Sequence, residues 1–166
     1  MIIRDAVATE LPYIREQRVL SYEEHASRIS EEHWKALKHA ITSDADTKTG
    51  VERIVAEIEG ELVGSVVLFP AKTDAYDGQL DELDYPEIRM LSVLPTARGK
   101  GVAKALLMEC IRRAKEKNFT SIGLHTAEFM EDAIRLYERL GFERLPQFDF
   151  VPLEDGITVK AYRLTF

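Results

Sequence analysis

The chain has 166 residues, of which 45% are hydrophobic and 31% are charged, and its formal net charge at pH 7 is -7. This length fits one domain over residues 1–166, and the acidic balance argues against binding to nucleic acid, which requires a basic surface. A lone cysteine, Cys110, excludes an internal disulfide, and we find neither a signal-peptide pattern nor an apolar run of the roughly 20 residues that cross a membrane. We therefore expect a cytoplasmic protein that contacts neither nucleic acid nor membrane.

In chain order, hydrophobic periodicity first predicts a short strand at residues 2–7 and a helix over residues 9–27. The predicted buried face of that helix consists of Leu11, Ile14, Val19 and Leu20. Ser30 precedes two glutamates and is the predicted N-cap of a second helix. Residues 51–58 and 62–69 are rich in β-branched side chains on either side of the turn E-G-E, which predicts a hairpin.

A long acidic loop at residues 71–85 precedes a predicted strand at residues 87–94. The remaining predicted elements are a helix at residues 102–117, a strand at 121–126, a helix at 131–140 ended by Gly141, and strands at 143–150 and 157–166. The resulting order, β-α-α-β-β-β-α-β-α-β-β, combines hairpins with crossover helices. It predicts an α/β fold whose sheet is mixed rather than purely parallel.

The segment R-G-K-G-V-A, at residues 98–103, joins a predicted strand to a predicted helix. Glycine allows a ligand to approach the backbone closely, and the first turn of a helix has free N–H groups and a partial positive charge. Arg98 and Lys100 add full positive charges, so the segment suits a pyrophosphate. It is not a Walker loop, because valine follows the last glycine, and it is not a Rossmann fingerprint, because Lys104 stands in place of the third small residue.

The same segment fits the pattern [QR]-x-x-G-x-[GA] through Arg98, Gly101 and Ala103. Together with the strand before it and the amphipathic helix after it, the segment resembles the coenzyme A-binding segment of GNAT-type N-acetyltransferases. The resemblance implies that acetyl-CoA is the cosubstrate and that backbone N–H groups of the loop hold its pyrophosphate. The cofactor-binding residues that it implies are Leu91, Ser92, Val93, Arg98, Gly99, Lys100, Gly101, Val102 and Ala103.

A second stretch, A-I-R-L-Y-E-R-L-G-F at residues 133–142, resembles the family segment A-x-x-L-Y-x-x-x-G-F. Helical spacing places Tyr137 on the inward face, and spacing alone indicates a core tyrosine. The resemblance implies that the Tyr137 hydroxyl protonates the leaving coenzyme A thiolate. Many family members carry asparagine seven residues earlier, where this chain has Met130, so an asparagine contact with the cofactor is not carried over.

An amine must lose a proton before it attacks a thioester, so the site requires a base or an ordered water. Glu87 begins the strand that leads to the glycine loop, eleven residues before Arg98. In this it resembles histone-acetylating members of the superfamily, which carry a glutamate base. A strand-end carboxylate paired with Arg89 is an equal alternative. His125 is a further candidate base, although a partly buried strand histidine is the simpler interpretation.

The resemblance also implies that the strand through Leu91 and Val93 pairs with the pantetheine arm, and that a backbone N–H there stabilises the oxyanion. Ser92 has no histidine–acid pair that the sequence assigns to it, and direct transfer requires no nucleophilic side chain. The spacing of the histidines predicts no metal site.

The acceptor is the least specified part of the predicted reaction. The acids of the loop at residues 71–85 could attract a cationic amine, although a solvated surface loop is the simpler interpretation. They are Asp74, Asp77, Asp81, Glu82 and Asp84. Aromatic residues that could line an acceptor pocket, or equally serve packing, are Tyr22, Tyr76, Tyr85 and Phe129. The implied partner is a small-molecule or peptide amine, and a homodimer is suggested only by analogy with the family.

The sequence thus predicts an acetyl-CoA-dependent N-acetyltransferase that moves an acetyl group directly to a primary amine in a ternary complex. Tyr137 and Glu87 are its predicted catalytic residues. The alternative is a non-catalytic acyl-CoA-binding module with a sensing or regulatory role. The presence of both side chains favours the enzyme, since a module without turnover is expected to lose one of them.

Overall fold

The computed structural model of the chain describes residues 1–73, 76, 78 and 81–166. The strands are β1 (Ile2–Asp5), β2 (Glu52–Ile58), β3 (Glu61–Phe69), β4 (Glu87–Val93), β5 (Ser121–Ala127), β6 (Glu143–Arg144) and β7 (Val159–Thr165). The α-helices are α1 (Leu11–Tyr22), α2 (Glu31–Thr42), α3 (Val102–Glu116) and α4 (Glu131–Arg139). These elements follow the predicted order.

The strands of the described residues form one sheet in the order β1-β2-β3-β4-β5-β7-β6. β4 and β5 run parallel, whereas β1–β2, β2–β3, β5–β7 and β6–β7 are antiparallel pairs. The predicted mixed sheet and α/β class are therefore confirmed. None of the helices in the described part of the chain is both long enough and apolar enough to span a membrane.

The chain divides into two compact units, and β4 and α3 each contribute to both. The first unit comprises Met1–Leu68 and Met90–Cys110, and the second comprises Phe69–Arg89 and Ile111–Phe166. The first contains β1 to β3, α1, α2, the end of β4 and the start of α3. The second contains the start of β4, the end of α3, and β5, α4, β6 and β7.

In the first unit, α1 buries a different face from the predicted one. Leu11 and Ile14 are buried as expected, but Leu20 is 55% exposed and Arg18 is only 1% exposed. Arg18 lies two helical turns after Leu11. It can be buried because its Nη1 is 2.8 Å from the Asp46 carboxylate oxygen Oδ2, which supplies the opposite charge. Hydrophobicity alone could not identify that face, since its centre carries a charge.

Local signals in the first unit gave correct predictions. The Ser30 hydroxyl accepts a hydrogen bond from the His33 N–H at 3.0 Å, so Ser30 caps α2. The turn between β2 and β3 has Glu59 and Gly60 in the left-handed region, with φ of 52° and 81°. Two successive positive φ values are typical of a two-residue hairpin turn, which fixes the β2–β3 pairing.

In the second unit, the predicted strand at residues 143–150 is wrong in length. β6 has two residues, a 3-10 turn at Pro146–Phe148 follows it, and Phe150 then forms an isolated bridge with Val159. Proline lacks the N–H that a ladder requires, so Pro146 interrupts the strand.

In the first unit, the first α-helix is shorter than predicted. It ends at Tyr22, and Glu23–Arg28 follow it as a 3-10 helix.

Strand β4 has an irregular backbone at its centre. Met90 has φ of 57°, a left-handed conformation that costs a non-glycine residue about 1–3 kcal/mol. The parallel ladder with β5 pairs Glu87 with Gly123 and Ile88 with Leu124, before this irregular residue is reached. The start of β4 is thereby fixed within the second unit.

Candidate active site

The glycine loop lies in the first unit and is open to solvent. Gly99 and Gly101 both have φ of 78°, and a Cβ added to either would meet no atom of the residues described here within 4 Å. Residues 98–101 are exposed, and α3 begins at the next residue. Backbone N–H groups of a helix start have no acceptor within the helix, so this geometry fits a phosphate group approaching the loop.

The start of α3 packs tightly at Gly64 of β3. A Cβ at Gly64 would lie 2.9 Å from the Ser92 carbonyl oxygen and 2.9 Å from Cγ1 of Val102. Only glycine leaves room for β4 and α3 to approach β3 this closely. Gly64 was not predicted as part of the site, although a lone glycine in a β-branched strand signals a close backbone approach.

Arg98, a predicted pyrophosphate ligand, has its guanidinium engaged within the first unit. Its Nη1 donates to the Glu24 carboxylate at 2.6 Å, and its Nη2 donates to the Ser21 carbonyl at 3.0 Å. Ser21 lies near the end of α1, and Glu24 lies in the 3-10 helix that follows it. Arg98 therefore fastens the glycine loop to α1, while Lys100 is exposed at the tip of the loop.

The end of β4 is held from both sides. The Tyr22 hydroxyl donates to the Leu91 carbonyl at 2.7 Å, so this aromatic residue supports the strand. The buried Ser92 hydroxyl is 3.1 Å from that of Ser65 in β3, which gives Ser92 a packing role. Val93 is partly buried. The binding of pantetheine by residues 91–93 stays a prediction.

In the second unit, Glu87 and His125 form a buried pair. His125 Nδ1 is 3.2 Å from Glu87 Oε2, and the two side chains are 1% and 5% exposed. On the other side of the ring, Nε2 is 3.0 Å from the Phe148 carbonyl oxygen. The two candidate bases that the sequence suggests thus contact each other, because β4 and β5 pair in parallel.

The partners of the His125 ring indicate which of its nitrogens donates to each neighbour. A carbonyl oxygen only accepts, so Nε2 must carry a hydrogen and donate it to Phe148. A hydrogen bond between Nδ1 and Glu87 Oε2 then requires one proton between those atoms, on the imidazole or on the carboxyl. With Nδ1 bare and Glu87 ionised, two lone pairs would face each other. The contact is therefore a hydrogen bond through one hydrogen that lies between Nδ1 and Oε2.

Tyr76 contacts both members of the pair, and the three side chains form a cluster. Its hydroxyl donates to Glu87 Oε2 at 2.9 Å, and its ring meets the His125 ring edge to face at a centroid distance of 4.7 Å. Burial, followed by the nearby charge of Glu87, raises the pKa of Tyr76 well above its ordinary value. Arg89 lies over the Tyr76 ring at 4.9 Å, so its guanidinium packs on the cluster.

A small pocket opens onto Glu87 in the second unit. It measures about 250 Å³ including its mouth, and its enclosed part has room for about one water molecule. The lining residues are Pro70, Lys72, Thr73, Tyr76, Asp81, Leu83, Tyr85 and Glu87. Three predicted acceptor-side residues are among them: Tyr76, Tyr85 and Asp81. Asp74 and Asp77 lie outside the described residues, and Glu82 and Asp84 are exposed.

Tyr137 occupies the inward face of α4, as its spacing predicted. It is 6% exposed, and its ring centroid lies 6.0 Å from that of Phe142 and 6.5 Å from that of Tyr162. Gly141, with φ of 96°, ends the helix and allows Phe142 to pack back onto Tyr137. The geometry confirms the packing, and the role of the hydroxyl as an acid stays a prediction.

Comparison with known proteins gives a consistent result. The acetyltransferase (GNAT) family model matches residues 12–142. The uncharacterized N-acetyltransferase YjgM of Escherichia coli is 38% identical over 91 residues, which are 55% of this chain and 50% of that protein. N-acetyltransferase 8 of Rattus norvegicus is 33% identical over 90 residues, which are 54% of this chain and 38% of that protein. These matches thus span half or less of the relatives' lengths.

Solved structures share the fold along almost the whole chain. The PaiA N-acetyltransferase from Thermoplasma acidophilum, in complex with coenzyme A, aligns with a TM-score of 0.72 at 17% identity, over 99% of this chain and 98% of that one. YncA from Salmonella typhimurium, with acetyl-CoA, aligns with a TM-score of 0.65 at 20% identity, over 99% and 93% of the two chains. At these identities the likeness establishes the fold alone.

Proposed function

Because the chain belongs to the acetyltransferase (GNAT) family, we propose that it is an N-acetyltransferase that transfers the acetyl group of acetyl-CoA to a primary amine. The acceptor is a small-molecule or peptide amine, and the transfer is direct, in a ternary complex. The observation that carries this proposal is the open glycine loop at the start of α3, where Gly99 and Gly101 leave the backbone accessible.

The donor would be held mainly by backbone. N–H groups at residues 99–103 suit the pyrophosphate, with Lys100 adding a positive charge, and residues 91–93 would accompany the pantetheine arm. Acetyl-CoA supplies the thioester, whose carbonyl carbon receives the amine. The support for this assignment is the family pattern and the open loop, together with the known relatives that were crystallised with coenzyme A or acetyl-CoA.

The chemistry would require a proton acceptor and a proton donor. Glu87 would take a proton from the amine, and the support for this role is that its carboxyl oxygen Oε1 is buried and has no hydrogen-bond partner among the described residues. Tyr137 gives a proton to the departing thiolate, since a phenol of ordinary pKa near 10 can donate to a thiolate whose conjugate acid is near 8.5. Glu87 and Tyr137 have the residue types and the family positions for these roles.

A panel of primary amines, assayed for coenzyme A release from acetyl-CoA, tests the proposal. Turnover on at least one amine, absent when the amine is omitted, is the expected result. Tight coenzyme A binding without turnover on any amine would instead indicate an acyl-CoA-binding module. Including propionyl-CoA and longer acyl donors in the same assay would determine the acyl preference.

A further inference from the structure

We infer that His125 is a positioning residue, which holds the Glu87 carboxylate in one orientation and links it to the segment between β6 and β7. The inference rests on the proposed role of Glu87 as the base. The His125 side chain is 1% exposed, and both ring nitrogens are engaged, Nδ1 with Glu87 and Nε2 with the Phe148 carbonyl. An acceptor amine therefore cannot be bound by His125 directly, so the histidine acts through Glu87.

The Glu87 carboxylate requires such support because a glutamate side chain has several rotatable bonds. A catalytic group must be held within about 0.5 Å of its productive position, and an error of about 1 Å can cost about a hundredfold in rate. Two side chains hydrogen-bond the same carboxylate oxygen, Oε2: the Tyr76 hydroxyl at 2.9 Å and His125 Nδ1 at 3.2 Å. These contacts restrict the rotation of the carboxylate.

The His125 ring is itself fixed by contacts that return to it. Its backbone pairs with Ala161 in the β5–β7 ladder. Asp149 Oδ1 accepts a hydrogen bond from the Ala161 N–H at 2.8 Å, and Arg144 joins Asp149 through two hydrogen bonds of 2.7 Å. Since Asp149 directly follows Phe148, the same bonds fix the carbonyl that accepts from His125 Nε2.

Aromatic packing favours the same ring orientation. The Phe150 ring centroid lies 5.5 Å from that of His125 and 5.6 Å from that of Tyr76. The segment at residues 148–150 thus contacts His125 through a backbone carbonyl on one residue and through a side chain two residues later. A rotation of the imidazole would break the hydrogen bond and disturb this packing, so the segment determines where Nδ1 points.

The charged and titratable neighbours of the pair stay in place when His125 is replaced. Those near Glu87 are Lys72, Tyr76, Asp81, Tyr85 and Arg89, and those near His125 are Arg144 and Asp149. Burial, followed by the charge of Glu87, raises the pKa of Tyr85 to about 12, and the Arg144 hydrogen bonds hold the pKa of Asp149 below its ordinary value. Differences between pH profiles of His125 variants therefore report on the pair.

Two substitutions separate the contacts of the ring. The amide nitrogen of asparagine lies as many bonds from Cβ as Nδ1, so His125→Asn can still bond Glu87. The amide nitrogen of glutamine corresponds to Nε2, so His125→Gln can still bond the Phe148 carbonyl, and neither amide titrates. With an amine that the wild type acetylates, His125→Asn should lower kcat by less than about fivefold and His125→Gln by about a hundredfold. Coenzyme A affinity should be unchanged in both.

The pH profile of kcat/KM distinguishes positioning from direct catalysis. The acidic limb should persist in His125→Asn and disappear in Glu87→Gln, because Glu87 remains the base in the first variant. An equally large loss of kcat in both His125 variants, with loss of that limb, would identify His125 as the base and overturn the inference. Near-wild-type turnover in both would also overturn it, since the contact with Glu87 would then have no effect.

The link to the β6–β7 segment has its own test. Asp149→Asn should lower kcat by about tenfold in the wild type and have little further effect in His125→Asn, which has already lost the Phe148 contact. Asp132→Asn removes an acid that pairs with Arg135 on the exposed face of α4, and it should leave kcat unchanged. Equal effects of Asp149→Asn in both backgrounds would overturn the link.

Nuclear magnetic resonance of the His125 ring tests the positioning without turnover. Glu87→Gln should shift the Nδ1 resonance, and Asp149→Asn should shift the Nε2 resonance, because each changes the partner on that side. Acetylation of an amine without these shifts would overturn the positioning and retain the transfer. Both shifts, without turnover on any amine, would support the contacts of His125 and contradict the proposed transfer.

Discussion

Arg98 and Glu24 form an ion pair in which Nη1 and Oε2 are 2.6 Å apart, so the arginine of the glycine loop is fastened to the segment that follows α1. The side chains are 40% and 49% exposed, and a pair in this setting is weak and sensitive to salt. Glu24 thus competes with an anionic ligand for Arg98. The negative charge of Glu24 also opposes any phosphate that approaches the loop.

Glu24→Gln should therefore tighten coenzyme A binding modestly, by about two- to fivefold at low salt, since an exposed pair contributes about 0.2–1 kcal/mol. The advantage should disappear at high salt, where such charges are screened. Calorimetric titration at two ionic strengths measures both effects. Glu23→Gln removes the same charge from the neighbouring exposed residue and serves as the control. Weaker binding by Glu24→Gln would show that Glu24 instead orients Arg98 for the ligand.

Gly101→Glu should weaken coenzyme A binding strongly, raising Kd by about a hundredfold or more. The added side chain places bulk and negative charge where the pyrophosphate is expected. A glutamate at φ of 78° is also strained, so the control must carry the same strain. Gly60→Glu does so, because Gly60 has φ of 81° and open space around it in the β2–β3 turn. If both variants bind coenzyme A like the wild type, the loop is not the pyrophosphate site.

Tyr137→Phe should lower kcat by about a hundredfold, while the Kd of acetyl-CoA changes little, because general acid catalysis typically contributes 10²- to 10⁴-fold. Single-turnover kinetics with a saturating amine measure the chemical step directly. Tyr162→Phe removes a hydroxyl from the ring that neighbours Tyr137 and should leave kcat within about twofold of the wild type. Equal turnover by Tyr137→Phe would remove the acid role.

The parts of the site that the sequence predicts are those in which the chemistry lies on consecutive residues. The glycine loop and the Tyr137–Gly141–Phe142 packing depend on local spacing, and the structure has both as expected. The β6 interruption was also readable, because Pro146 stands inside the predicted strand. The order of elements follows from hydrophobic periodicity in the same way.

The remaining parts depend on residues that only the fold brings together. Glu87 and His125 are 38 positions apart and meet because β4 and β5 pair in parallel. The register of that pairing cannot be predicted from the sequence. The Glu87 carboxylate and the Tyr85 ring pack directly on Gly123, and a lone glycine in a strand signals such a close approach without showing which residues make it. The buried face of α1 includes Arg18, whose partner Asp46 lies after α2. Each case requires a contact between distant residues.

The ion pair between Arg18 and Asp46 is buried in the first unit. Arg18 Nη1 donates to Asp46 Oδ2 at 2.8 Å and to the Ile41 carbonyl at 3.1 Å, and Arg15 Nη2 donates to Asp46 Oδ1 at 2.6 Å. Burial alone would raise the pKa of Asp46, but the two guanidinium groups outweigh it and hold that pKa below its ordinary value. The fully buried carboxylate therefore stays ionised in the folded chain.

Asp46→Asn should lower the free energy of unfolding at pH 7 by about 3–5 kcal/mol, because it leaves Arg18 buried without its counter-charge. Since the folded-state pKa of Asp46 is depressed, its stabilisation is complete above the unfolded pKa of about 3.9 and is lost as pH falls through the folded value. The difference between wild type and variant in urea unfolding should accordingly narrow at acid pH. Asp44→Asn, at an exposed neighbouring residue, should change stability by less than about 0.5 kcal/mol. A loss of stability that is equal at both pH values would contradict the electrostatic origin.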